Sequence, residues 1–238
     1  MKVEQQNHLP SSHSYKLYAI THQKGVVSEI DFHTHFHYEI FIFHGGQCKY
    51  LIDNKIYELV SGDIIVMDGS KLHKPLVSGD PALYNRSIIQ FSHEWLQPLL
   101  HFLNSEYLLN SFQKNHHALF RTKSKELNPL IMMVKDIEYI LQKAKFPEVE
   151  QELMTKLTSL LFALHHLRSL QITQTEEVVD EKTMYIQQIA NYIQDHFHEK
   201  IVLDDIAKEV NLSKSYLVHV FKEQMGFTIM DYLMQYRL

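Results

Sequence analysis

Residues 203–226 read LDDIAKEVNLSKSYLVHVFKEQMG, and they divide into two short helices with a tight turn between them. Leu203, Ile206, Ala207 and Val210 follow one another at spacings of three, one and three, which puts them on one helical face. Asn211-Leu212-Ser213 breaks that pattern. Ser213 then stands where an N-cap hydroxyl accepts from a backbone N–H that has no partner inside the helix. The second helix turns Leu217, Val220, Phe221 and Gln224 or Met225 inward and ends at Gly226, because glycine tolerates left-handed C′ geometry. Two readings stand at this point. One is a helix-turn-helix whose second helix enters the DNA major groove. The other is an ordinary helical hairpin with a solvated face. Under the first, the outer face carries Ser215, Val218, His219 and Lys222. Ser215 and His219 are placed for base edges, Val218 for a thymine methyl and Lys222 for a phosphate. Lys214 and Tyr216 flank that face, and the small side chain of Ala207 lets the two helices cross closely.

The run LDDIAKEVNLSKSYLVHVFKEQMGFTIMDYLMQYRL continues this pattern to residue 238. It resembles the first helix-turn-helix of the AraC family of bacterial transcription regulators. The resemblance is carried by Leu203, Ile206-Ala207, Ser213, Tyr216-Leu217, Phe221-Lys222, Gly226, Tyr232-Leu233 and Arg237-Leu238. It implies a ligand-responsive regulator, not an enzyme, that binds double-stranded DNA through Ser213, Lys214, Ser215, Tyr216, Val218, His219 and Lys222. It also implies a second helix-turn-helix after a joining helix. The sequence stops at Leu238, inside what would be that helix. Half of the expected reading surface is therefore missing, and the chain reads as a truncated product or an expression fragment.

At 238 residues and 45% hydrophobic content, the chain can bury one large core or two ordinary ones. A formal charge of −5 argues against a generally basic coat. Residues 185–238 contain five Lys/Arg against seven Asp/Glu, so the reading head alone is expected to bind DNA weakly. Cys48 is the only cysteine, which rules out an internal disulfide. The opening MKVEQQNHLPSSHSY lacks the apolar centre of a signal peptide, and no apolar run approaches the ~18 residues of a membrane helix. The expected location is the cytoplasm, with no membrane partner.

Residues 15–91 read as short strands between turns, spaced for a sandwich or barrel. Residues 38–43, 48–53, 56–60, 64–67 and 83–91 are the strands, with turns at Gly45-Gly46, Asn54-Lys55 and Ser61-Gly62-Asp63. His33, His35, His37 and Glu39 share parity, so one continuous strand would point all four the same way. With Gly46, Gly62 and His73 they resemble the two motifs of the cupin family. That resemblance implies a divalent ion, zinc, manganese, iron or nickel, held by His33, His35, Glu39 and His73. The second motif departs from the family at Asp68, Ser70 and Val77. Three readings therefore remain: a metal site, a metal-free effector pocket lined by His33, His35, His37, Glu39, Phe41 and His73, or core histidines satisfied by backbone groups. Aromatic walls with several hydrogen-bonding groups suit a hydroxylated, sugar-like effector. Arg86 would recognise an acid if its strand turned it inward.

Beyond residue 95 the pattern becomes helical, with His116-His117 in a loop and Pro129 in the first turn of a helix. Leu130, Val134, Ile137, Leu141 and Ala144 line one face, and Phe146-Pro147 interrupts it. Leu153, Leu157, Leu160, Leu164 and Leu167 then repeat at four, three, four, three, a seam expected to pair two copies of the chain, with packing inside one chain as the alternative. The polar run QITQTEEVVDEKT reads as a linker, followed by a helix over 185–196.

The expected architecture is α+β and multidomain. A cupin-like jelly-roll barrel spans 1–95, a helical dimerisation segment 96–175, a linker 176–184 and a helix-turn-helix domain 185–238. The expected function is a dimeric, ligand-responsive, sequence-specific DNA-binding regulator. The rival is a metal-dependent cupin enzyme, a sugar isomerase or dioxygenase, with an appended helical domain.

Overall fold

The computed structural model describes residues 15–26, 32–143, 145, 148–170 and 181–237. Eight strands occur in chain order: β1 (Leu17–Lys24), β2 (Tyr38–Gly45), β3 (Gln47–Ile52), β4 (Lys55–Glu58), β5 (Asp63–Met67), β6 (His73–Ser78), β7 (Asn85–Phe91) and β8 (His117–Arg121). They form two antiparallel sheets, one in the order β1-β7-β2-β5-β8 and one in the order β4-β3-β6. The sheets share a core. Phe41, Phe43, Ile65, Met67 and Ile88 of the larger meet Cys48, Tyr50, Ile52 and Tyr57 of the smaller. Alternation explains the other face: Ile40, Ile42, Ile64, Val66 and Ile89 turn outward and are covered by helices.

Strand β8 corrects the sequence reading, which ended the strands near residue 91 and left His116-His117 in a loop. His117 to Arg121 pairs with the whole of β5, from Met67 opposite His117 to Asp63 opposite Arg121. Five residues with one buried apolar side chain, Phe120, are too few to show a period of two.

The helices are α1 (His93–Phe102), α2 (Asn110–Gln113), α3 (Ser124–Lys143), α4 (Glu150–Leu170), α5 (Glu181–His196), α6 (Leu203–Glu209), α7 (Lys214–Met225) and α8 (Ile229–Arg237). Helix α3 begins well before Pro129, which sits inside it. Its entry is fixed instead by Glu126, whose carboxylate accepts from the Lys123 N–H at 3.1 Å. The α4 leucine seam is not an outward face. Leu153, Leu157, Leu160, Leu164 and Leu167 are all buried in the chain's own core with α3 and the larger sheet. Residues 1–14, Ala144, Phe146-Pro147 and 171–180, most of the expected linker, lie outside the described residues. The remainder of that linker, 181–184, is already the first turn of α5.

Helices α5 to α8 pack on the outer face of the smaller sheet. Leu51 and Ile56 leave the barrel core and enter one core with Ile186, Ile189, Ile193, Phe221 and Tyr232. The Tyr232 hydroxyl donates to the Asp53 carbonyl at 2.9 Å and the Tyr236 hydroxyl to the Asp53 carboxylate at 3.2 Å. Lys49 Nζ donates to Gln224 Oε1 at 2.7 Å. Among the described residues, no helix is long and apolar enough to cross a membrane.

Candidate functional site

The turn between α6 and α7 is built as its residues dictate. Asn211 takes a left-handed φ of 55°, a conformation asparagine tolerates. The Ser213 hydroxyl accepts from the Tyr216 N–H at 3.2 Å, and Gly226 closes the helix at φ 79° with its N–H on the Lys222 carbonyl. Leu217, Val220, Phe221 and Met225 are buried. The opposite face is open, and Ser215, Val218, His219 and Lys222 line one shallow exposed surface together with Glu223.

Three of the seven expected DNA-contacting side chains are engaged elsewhere. Ser213 spends its hydroxyl on the cap. Lys214 pairs with Asp204 of α6 at 2.9 Å. Tyr216 lies edge-on to Tyr185 of α5, with ring centroids 6.3 Å apart. Glu223, which the sequence reading passed over, borders the open face and is neutralised by Lys182 at 2.9 Å. That pair was hidden because Lys182 fell in the expected linker.

A second cluster forms where the segment before β2 meets β6. His33 and His73 exchange backbone hydrogen bonds at 3.3 and 3.2 Å. The imidazoles of His33, His35 and His73 each offer a ligand atom within 4.8 Å of the others. Gly69 must be glycine to let His35 lie there. It sits at φ 75°, and a Cβ would come within 2.1 Å of the His35 ring. Behind the cluster, Glu39 accepts from His35 Nε2 at 3.1 Å and from Gln90 Nε2 at 2.6 Å.

Charge follows this geometry. Burial opposes ionisation of Glu39, but the bond and charge of His35, with Gln90, overcome it and bring the carboxyl down to about 2. Burial likewise opposes charge on His35, and Glu39 outweighs it, leaving the imidazole above its ordinary value. His73 is the opposite case. Burial, reinforced by His33, pulls it down to about 3. Its Nδ1 lies 2.8 Å from the Lys71 carbonyl, which fixes the proton there, and its buried Nε2 has no hydrogen-bond partner.

The continuous-strand picture needs correction. Strand β2 begins only at Tyr38, and the bend at Phe36-His37 turns His37 away from the other histidines. Its Nε2 meets the Tyr15 carbonyl at 2.7 Å and its ring stacks on Tyr15. Phe41 is not a pocket wall either, since it is 1% exposed and packs edge-on against Tyr50. Of the six expected effector residues, His33, His35, Glu39 and His73 converge. The orphan Nε2 of His73 offers one lone pair to a divalent transition metal, but His35 has none to spare in this arrangement, its Nδ1 lying 2.8 Å from the His37 carbonyl and its Nε2 on Glu39, so it would have to release the His37 contact to ligate. Glu39 does not stand as a fourth ligand but as the partner that orients His35. Gln90 was missed, and its only signal is register, being directly opposite Glu39 across β2 and β7.

The docked helices also close a cleft of about 820 Å³ between β3, β6 and the end of α7, lined in part by Lys49, Lys74, Leu76, Gln224 and Phe227. Lys74 Nζ lies 5.3 Å from the centre of the Phe32 ring and 5.4 Å from that of Phe227. No reading of one segment at a time exposes such a site.

Residues 193–234 match the model for bacterial regulatory helix-turn-helix proteins of the AraC family, and residues 21–134 match that for the AraC-like ligand binding domain. The second match extends past β8 into α3. An uncharacterized response regulatory protein of Staphylococcus epidermidis is 38% identical over 60 residues, 25% of this chain and 24% of that protein. The transcriptional regulatory protein HptR of Staphylococcus aureus is 33% identical over 60 residues, with the same coverage of 25% and 24%. The chain thus spans about a quarter of the length of these relatives. Among solved structures, ToxT from Vibrio cholerae aligns over 92% of this chain and 98% of its own at 17% identity and a TM-score of 0.37. The AraC-like transcriptional activator CuxR aligns over 84% and 65% at 12% identity and a TM-score of 0.37.

Proposed function

We propose, from the premise that this chain belongs to the AraC family of bacterial helix-turn-helix regulators, that it is a ligand-responsive, sequence-specific DNA-binding transcription regulator acting in the cytoplasm. The observation that carries this reading is the open face of α7. Ser215, Val218, His219 and Lys222 stay exposed although α5 to α8 are docked on the barrel. A helix buried on one side, capped at both ends and left polar on the other is what major-groove insertion needs.

The effector would be a small, sugar-like molecule held by His33, His35, Glu39 and His73, with a divalent metal at the three imidazoles as the variant that the free His73 nitrogen favours. A route from this site to the reading head supports ligand response. Phe32, next to His33, packs on Phe227 and Tyr232 with centroids 4.9 and 5.5 Å apart. Leu72, next to His73, packs against the head's core, and its carbonyl accepts from the Asp53 N–H at 2.7 Å. An effector that favours one position of Phe32 and Leu72 would thereby favour one placement of α7. The chain would act as a homodimer. Because the α4 seam is spent internally, the pairing face would instead include the exposed Met132 and Tyr139, seven residues apart on α3.

Fluorescence anisotropy of the full chain on DNA from its own upstream region tests the reading. Saturable binding that outcompetes unrelated DNA, and that changes when the histidine site is filled, is expected. Equal, weak binding to every sequence at every salt concentration overturns it.

A further inference from the structure

The open face of α7 is bounded at both ends by carboxylates that hold lysines. Lys214, the first residue of α7, donates to Asp204 of α6 at 2.9 Å. Near the other end, Lys182 from the first turn of α5 donates to both oxygens of Glu223, at 2.9 and 3.1 Å. All four side chains are exposed. Helices α5, α6 and α7 share one core through Ile186, Ala207 and Leu217, so each carboxylate rides on a backbone fixed relative to its lysine. The bond and charge of Lys182 hold the Glu223 carboxyl below its ordinary value, which keeps it ionised where DNA would arrive.

Lys214 and Glu223 lie nine residues apart on α7, or about 13 Å along its axis. The major groove is roughly 12 Å wide, so both ends of a seated α7 come within a Debye length, about 8 Å, of phosphates. Two unpaired lysines there would neutralise phosphates and release counterions. Paired with carboxylates, they bring no net charge. Arg237 is spent on the carbonyls of Phe197 and Glu199, at 2.8 and 2.6 Å. Lys222 makes no ion pair among the described residues and is left as the cation of the face. Exposed pairs of this kind add little to stability. Their effect on a polyanion is larger, because each lysine freed for a phosphate steepens the fall of affinity with salt by about 0.9 on logarithmic axes.

We propose that Asp204 and Glu223 are affinity-setting residues of the reading head: each keeps a lysine off the DNA backbone, so that one head grips phosphate weakly. The inference rests on α7 being the reading helix and adds how strongly that helix is allowed to hold. Coupling between an effector and a second site usually changes affinity by roughly 5–150-fold. Such a change switches occupancy only when the uncoupled affinity is modest. Two further phosphate contacts would make the head harder to release, whereas the two carboxylates leave it within reach of whatever the barrel binds.

The test is fluorescence anisotropy of the full chain on upstream and scrambled DNA between about 50 and 200 mM salt. Asp204→Asn and Glu223→Gln should each bind scrambled DNA several-fold tighter at the low-salt end and steepen the salt dependence by about 0.9, with the two effects adding. Adding Lys214→Gln to Asp204→Asn should return the slope to that of the unmodified chain. Asp205→Asn removes the same charge from the next residue, which makes no ion pair among the described residues; it should move the slope less than half as far. All these variants should melt where the unmodified chain does. Unchanged slopes, an Asp205→Asn effect equal to that of Asp204→Asn, a gain that survives Lys214→Gln, or weaker binding with a lowered melting temperature would each overturn the inference and leave the α7 reading standing. No DNA binding by the unmodified chain or any variant at about 50 mM salt would overturn both.

Discussion

Replacing Leu51 by alanine asks whether barrel and reading head form one cooperative body. Leu51 sits on β3 but turns away from the barrel core, and its 0% exposure comes from the head packed over it. Its strand pairing, to Ile56 on one side and Lys74 on the other, uses backbone groups that alanine retains. The cost is therefore that of a buried leucine truncated in a packed core, about 2–5 kcal/mol. If the head swung free, Leu51 would face solvent and the same change would cost within roughly 0.5 kcal/mol. Urea unfolding followed by Trp95 fluorescence and by helical circular dichroism distinguishes the two. We expect coincident transitions, an unchanged slope, a lower midpoint and an unfolding free energy reduced by about 3 kcal/mol. Tyr232→Phe, which removes the donor to the Asp53 carbonyl, should cost about 1 kcal/mol and couple to Leu51→Ala. A negligible effect of Leu51→Ala, or two separate transitions with only the head affected, would refute the docked arrangement.

Ser213→Ala removes the acceptor for the Tyr216 N–H and should destabilise the head by about 1 kcal/mol, with glycine milder, measured by the same unfolding assay. Stability should also fall on mild acidification. Burial, with Lys55 adding to it, depresses His117 to about 4, so the unfolded chain takes up that proton first. Its contribution is complete above the ordinary histidine value near 6.5 and is lost as pH falls toward about 4, by up to roughly 3 kcal/mol. Unfolding free energies at pH 7, 5.5 and 4.5 should trace this loss, and His117→Gln should shrink it without abolishing it, because burial depresses His73 and His44 as well.

The parts of the fold written in local residue chemistry were legible in the sequence. Ser213 and Gly226 marked the ends of α7 because capping and left-handed glycine geometry are properties of one or two residues. The convergence of His33, His35, Glu39 and His73 was legible too, but not its form. The bend at Phe36-His37 removed His37, and the bond from His35 made Glu39 an orienting partner. Strand β8 and the fate of the α4 seam were not legible. Each is decided by what lies across from it, β5 in one case and α3 in the other, rather than by its own period. The Asp53–Tyr232 contact joins residues 179 apart in sequence, and the burial of Arg86 appears only once β7 has its facing.

The central claim is that the open face of α7 reads base sequence. Its most direct test is the ratio of the full chain's affinity for upstream DNA to that for scrambled DNA, measured at one fixed salt concentration before and after His219→Ala combined with Val218→Ala. The account predicts a ratio above tenfold that collapses toward unity in the double variant, while binding to scrambled DNA is nearly unchanged. A ratio near unity for the unmodified chain, or one that survives the double substitution intact, would contradict it.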